Sequence, residues 1–297
     1  MIMKQYVKLF EQFIIESGNS IEDAKPFTQA QIEPTMKWIE KNVFPKIGLN
    51  GLGDDAAVIG SAGKKLPEAT SGDIDVAVSA DKIAGFLGTS MSNALFELDK
   101  TLKGLGYSTK LAVGFNQVSF GAPIAGDYKN GVGQVDLMLS HDLEWSKFIY
   151  HSPDFRIAES MYKGAYRNIL LMATMGASFY EVTKTTDKGE TEEYKAYVVQ
   201  LDNGIVEVRK TFMGVKGLRK TATKLKEYDN LITKQPADVV NLLFNGGHKP
   251  SDIDTYEKLK GLVDSGDFKF PNKRDAIMKD FIAKLENAKL PLPSDVK

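Results

Sequence analysis

Three aspartates carry the chemistry this chain is equipped to do. Asp73 and Asp75 stand in the run Ser71-Gly72-Asp73-Ile74-Asp75-Val76-Ala77-Val78, and Asp136 stands in Gln134-Val135-Asp136-Leu137-Met138-Leu139. Side chains on a β-strand alternate faces, so Asp73 and Asp75 share one side while Ile74, Val76 and Val78 take the other. Asp136 likewise opposes Val135, Leu137 and Leu139. If the two strands are neighbours, three carboxylates converge at one edge of a sheet. Such a cluster repels itself unless cations sit within it. Two magnesium or manganese ions about 3.5–4 Å apart suit it, one activating a hydroxyl and the other clamping a triphosphate. Ahead of the pair, Gly60-Ser61 can offer backbone N–H groups and a hydroxyl to phosphate oxygens, and Ser71-Gly72 leads directly into the aspartates. Lys64 and Lys65 follow the turn, either to neutralise phosphate or as a solvated loop. The run Gly60-Ser-Ala-Gly63-Lys-Lys is not a Walker loop, because four residues must separate its glycines and a Ser or Thr must follow its lysine.

Composition narrows the chemistry further. The chain of 297 residues contains no cysteine and three histidines, His141, His151 and His248. Thiolate metal sites, iron–sulfur clusters and cysteine nucleophiles are excluded, so a catalytic metal must sit on oxygen ligands. The formal net charge is −1, whereas proteins that bind nucleic acid without sequence preference are usually basic. No run of eighteen apolar residues exists, and the amphipathic start, MIMKQYVKLFEQFIIESG, lacks the pattern of a signal peptide. The expected location is the cytoplasm, with no membrane partner.

Periodicity outlines the elements that must hold these residues. Helices are expected over roughly 3–16 and 27–43, the second with Ile32, Met36, Ile39 and Val43 on one face. Strands follow at 56–59 and 74–78, then a helix over 81–106 closed by Gly106. Two more strands are expected near 109–120 and 134–140, with Asn130-Gly131 as a turn between them. Helical spacing resumes over 155–177. A hairpin then pairs YKAYVVQL with IVEVRKTF around Asp202-Asn203-Gly204. Residues 216–297 read as mostly helical, ending in a frayed tail. Gly246-Gly247 before Asp252 and Asp254 imitates a second phosphate motif, but Ser251 or Asp252 reads as a helix cap and His248 as structural. The fold class is α/β (α+β). It comprises N-terminal helices over 1–45, a mixed sheet flanked by helices over 46–170, and a helical annex with a β-hairpin over 171–297.

The stretch GSAGKKLPEATSGDIDVAVS resembles the glycine-serine and paired-aspartate signature of the DNA polymerase β nucleotidyltransferase superfamily, with SGDIDV closest to family X polymerases. The likeness runs through VSFGAPI and QVDLML to Tyr150-His151-Ser152-Pro153, roughly residues 35–168. It implies a nucleotidyltransferase palm in which Asp73 and Asp75 bind both metals and Asp136 acts on the metal that activates the primer hydroxyl. It also implies that Ser61 and Lys64 hold phosphates, and that the turn bearing Tyr150 and Ser152 meets the sugar. Tyr150 reads equally as ordinary packing. The implied helix residues that follow have Lys163, Arg167 and Asn168 as their nearest counterparts. The chain departs from family X in having lysines where arginines follow the glycine-serine, and in lacking a lyase module.

A basic run supplies Lys216, Arg219, Lys220 and Lys224 on one expected helical face. Such a face is either a solvated surface or a contact to a phosphate backbone. The activity implied is transfer of a nucleoside monophosphate from a nucleoside triphosphate to a nucleic-acid 3′ hydroxyl, DNA or RNA. Two other readings stand beside it: transfer to a protein or small-molecule acceptor, and a catalytically silent module that keeps the fold.

Overall fold

The computed structural model describes residues 20–157, 160–185, 191–213 and 223–296. The expected helix over 3–16 lies outside them. The chain forms two compact units, 1–165 and 166–297. The anticipated boundary at 170/171 falls inside the helix that opens the second unit.

The first unit begins with a short strand, β1 (Phe27–Thr28), and helix α1 (Gln29–Asn42). Strands β2 (Ala56–Val58), β3 (Thr70–Ser71) and β4 (Asp73–Ser79) follow. The single helix expected over 81–106 is two, α2 (Ala80–Leu87) and α3 (Ala94–Gly104). Gly88 breaks it by entering the left-handed region at φ 64°. Ser79 caps α2 through a hydrogen bond from the Lys82 amide. The strand expected near 109–120 is also two, β5 (Thr109–Ala112) and β6 (Gln117–Pro123), turned about Asn116 at φ 53°. A turn ending at Gly131 leads into β7 (Val132–Ser140), and Asp142 caps the short helix α4 (Leu143–Ile149).

The main sheet runs in the order β2-β4-β7-β6-β5. Only β4 and β7 are parallel; the remaining pairs are antiparallel. One face is apolar across its three central strands. Ile74, Val76 and Val78 of β4, Val135, Leu137 and Leu139 of β7, and Val118, Phe120 and Ala122 of β6 all lie in the core. Residues from α1, α2 and α3, among them Ile32, Met36, Ile39, Ile83, Leu95, Leu98 and Leu102, pack in the same cluster. Helix α1 therefore belongs to this core rather than to a separate N-terminal segment. At about 25 cal/mol per Å² of apolar surface, the burial of this one face is the main force holding the register of the sheet.

The second unit opens with α5 (Gly164–Ser178), most of which lies in it. Strands β8 (Glu181–Thr185), β9 (Thr191–Gln200), β10 (Gly204–Met213) and β11 (Thr223–Thr233) form one antiparallel sheet in the order β11-β10-β9-β8. The expected hairpin is β9 and β10, turning at Gly204. The helix expected from 216 onward is corrected over 223–233, which is an edge strand paired with β10. Helices α6 (Pro236–Leu243), α7 (Tyr256–Asp264) and α8 (Arg274–Asn287) complete the unit. Its last residues are not frayed. Val296 is buried, and Asp295 accepts a hydrogen bond from the Tyr256 hydroxyl. Among the described residues no helix is long and apolar enough to cross a membrane.

Candidate metal and phosphate site

The second face of the main sheet is polar at one end, ahead of the small apolar cluster of Ile59, Ala77 and Met138. In the parallel register Asp73 lies opposite Gln134 and Asp75 opposite Asp136, while Ser119 of β6 lies opposite Asp136 on the other side. Period-two alternation turns all of them to one side. Asp73, Asp75 and Asp136 each place a carboxylate oxygen within 4.8 Å of the other two. The neighbouring strands anticipated from the sequence are thus adjacent, and their acids meet.

This juxtaposition is electrostatically costly. Burial raises the Asp75 carboxyl well above its ordinary value, and the charges of Asp73 and Asp136 push it further, against the pull of Lys65. Burial raises Asp73 as well, opposed by Lys65 and by its own backbone N–H. Asp136 is pushed up to about 6 by burial, with hydrogen bonds from Ser119, Gln134 and Gln117 working the other way. Asp73 Oδ2 and Asp75 Oδ1 are buried without any hydrogen-bond partner. Two orphaned carboxylate oxygens pointing into a cluster of acids fit hard divalent cations, which accept all-oxygen ligation. Of the candidate donors, Asp73, Asp75 and Asp136 are the set that could hold them.

The glycine-serine turn lies against this cluster. Gly60 adopts φ 65°, and a Cβ there would fall 2.5 Å from Asp75 Oδ2. Only glycine lets the chain pass that close. The Gly60 amide is not free for a phosphate, since it donates to the Tyr150 carbonyl at 3.1 Å. The next three amides, of Ser61, Ala62 and Gly63, make no hydrogen bond among the described residues. They lie between Gly60 and Gly63, both in the left-handed region, and remain available as donors to an anion. The Ser61 hydroxyl is half-buried and makes no hydrogen bond among the described residues either.

The remaining candidates divide. Residues 150–155 run back along the turn. Lys64 Nζ donates to the Ser152 carbonyl at 2.9 Å, and the Phe155 amide donates to the Lys64 carbonyl. Tyr150 packs on a small apolar cluster of Ile59, Ala77 and Met138. Lys65 donates to the Thr70 carbonyl; burial lowers its ammonium, Asp73 and Asp75 oppose that, and the charge of Lys163 adds to it. Lys163 is exposed. The Ser71 hydroxyl is buried and accepts from the Gln29 amide, which leaves Gly72 exposed beside Asp73.

Other candidates lie elsewhere. Arg167 belongs to the second unit, where its fully buried guanidinium donates to the Ile253 carbonyl and to Asn168 Oδ1. Lys216, Arg219 and Lys220 lie outside the described residues, and Lys224 lies on strand β11. At Lys224 the expected helical face is corrected to a strand. Asp252 accepts from the Lys249 amide in a short helical turn, and Asp254 pairs with Lys258.

Four residues that serve the site were not singled out from the sequence. Gln134, Ser119 and Gln117 hold Asp136, and Gln29 bridges Lys65, Ala69 and Ser71. The signal for the first three was present: Gln117, Ser119, Gln134 and Asp136 occupy alternate positions in two apolar strands. For Gln29, which comes from α1, a local pattern has nothing to offer. Comparison with protein-family models, with curated proteins and with solved structures finds no match for this chain.

Proposed function

We propose that the first unit is a divalent-cation-dependent nucleotidyltransferase. It would move a nucleoside monophosphate from a nucleoside triphosphate to the 3′ hydroxyl of a nucleic-acid strand and release pyrophosphate. The observation that carries this reading is the meeting of three carboxylates within 4.8 Å, two of their oxygens orphaned, beside a turn with three unspent amides. Asp73, Asp75 and Asp136 would hold magnesium or manganese, which when bound would lower the pKa of the attacking hydroxyl and offset charge on the triphosphate and its leaving group. The protein's own part is positional. The amides of Ser61 to Gly63 receive phosphate oxygens, and the Ser61 hydroxyl adds a donor. Lys65 supplies positive charge near the same carboxylates, and Lys163 adds charge near Lys65. Segment 150–155, bonded to the turn, places Tyr150 and Ser152 alongside the nucleotide.

A protein or small-molecule acceptor is the second reading. It is favoured by the net charge of −1, since proteins that bind nucleic acid without sequence preference are usually basic. One experiment separates the two. The full chain is incubated with α-labelled nucleoside triphosphates, magnesium, and DNA and RNA primers, alongside Asp75→Asn. Extended primers that vanish in the variant support nucleic-acid transfer. Label on protein or a soluble acceptor, with primers unchanged, selects the second reading. No transfer to any acceptor by the wild-type protein refutes both.

A further inference from the structure

Gln134 uses both ends of its side-chain amide. It is fully buried, and its Nε2 donates to both oxygens of Asp136, at 3.0 and 3.2 Å. Its Oε1 accepts from the Ser20 amide at 2.7 Å and from the Ile21 amide at 3.2 Å. Backbone N–H groups only donate, so they compel Oε1 to face residues 20–21. The amide therefore has one orientation, and its donating nitrogen must face Asp136.

Residues 20–28 form a strap fastened to both carboxylate-bearing segments. The Lys25 amide donates to the Val132 carbonyl, and the Phe27 ring fills the space over Gly133, where a Cβ would collide with it. Phe27 and Thr28 pair with Ser71 and Thr70, immediately before Asp73.

We infer that Gln134 is a positioning residue: anchored by the strap, it aims the Asp136 carboxylate at Asp73 and Asp75 and sets their spacing for cation binding. This rests on the nucleotidyltransferase reading of the same three acids. Three like charges drive one another apart, and a carboxylate on a strand can turn about two side-chain bonds. A neutral donor to both oxygens opposes that turning without adding a competing charge. Partners of this kind around a metal ligand are worth about 10–100-fold in metal affinity.

The test is manganese binding to the full chain, read from the electron paramagnetic resonance of free Mn2+, with melting temperature measured alongside. Gln134→Met keeps the shape and removes the amide. Leu98→Ala loosens the same core from helix α3 and touches neither the strap nor the acids. The expected result is Mn2+ binding about tenfold weaker in Gln134→Met and within about twofold of wild type in Leu98→Ala, although both variants melt lower. If Gln134→Met melts below the assay temperature, Gln134→Asn replaces it, one methylene too short to span the strap and Asp136. Equal loss of affinity in both variants assigns Gln134 a merely structural role and overturns the inference. So does unchanged affinity in Gln134→Met, and in either case the nucleotidyltransferase reading still stands. A wild-type chain that binds no Mn2+ overturns that reading and this inference together.

Discussion

Asp75 combines the two conditions that cost a carboxylate most, burial and like-charged neighbours. Such an acid, repelled by its neighbours in the metal-free fold, is intelligible if it acts on a ligand. The same residue is then expected to give opposite effects in two assays. Asp75→Asn removes one of three repelling charges, so in chelator its melting temperature should rise, by about 2–4 °C for each kcal/mol relieved. Nucleotidyl transfer should fall by at least about 10³-fold, in line with the loss of a group that acts on the transition state. Scanning calorimetry in chelator and a primer-extension assay measure the two. A variant that melts lower than wild type in chelator would show that Asp75 is a structural acid.

At the scale of the element, the turn over residues 60–63 contains two left-handed glycines with different surroundings. At Gly60 an added Cβ meets Asp75 Oδ2, whereas at Gly63 the nearest atom, Ile32 Cγ2, is 3.9 Å away. Both Gly→Ala changes force a side chain into the left-handed region, at a cost of about 1–2 kcal/mol. Gly60→Ala must also displace the carboxylate, and a shift of about 1 Å in such a group can cost on the order of 10²-fold in rate. Gly63→Ala is expected to lose comparable stability and less than about tenfold in activity. Urea denaturation and steady-state rates on the two variants make the comparison. Equal rates would detach the turn from the reaction.

For the whole molecule, the site should be visible in the dependence of stability on pH and metal. Asp73, Asp75 and Asp136 each hold a proton more tightly folded than unfolded. They add stability at acid pH that is lost as pH rises, for Asp136 from its ordinary 3.8 through about 6. In chelator, the contribution of the cluster to the melting temperature should therefore decline across that window. The triple change of these aspartates to asparagine isolates the contribution and should flatten it. Magnesium at about 100 times its dissociation constant should return about 2.7 kcal/mol at neutral pH and much less at acid pH, where protons compete for the carboxylates. A melting temperature indifferent to magnesium at neutral pH in the wild-type chain would contradict cation binding at this cluster.

Alternation alone placed Asp73 and Asp75 on one face, Ile74, Val76 and Val78 on the other, and Asp136 against Leu137. A period of two is a property of the extended backbone and needs no tertiary information. Local turn chemistry likewise marked Gly106, Gly131 and the hairpin at Gly204. Strand β11 was misread as helix because the residues after 216 carry basic side chains at helical spacing, and pairing with β10 overrode that local pattern. The same dependence on distant partners kept Gln29, the strap at residues 20–28 and the burial of Val296 out of reach. Which strands lie side by side, whether Gly60 keeps its amide, and what holds Asp136 are long-range facts. They are settled when the apolar face of the sheet closes on its helices, and by nothing within a few residues of the groups concerned.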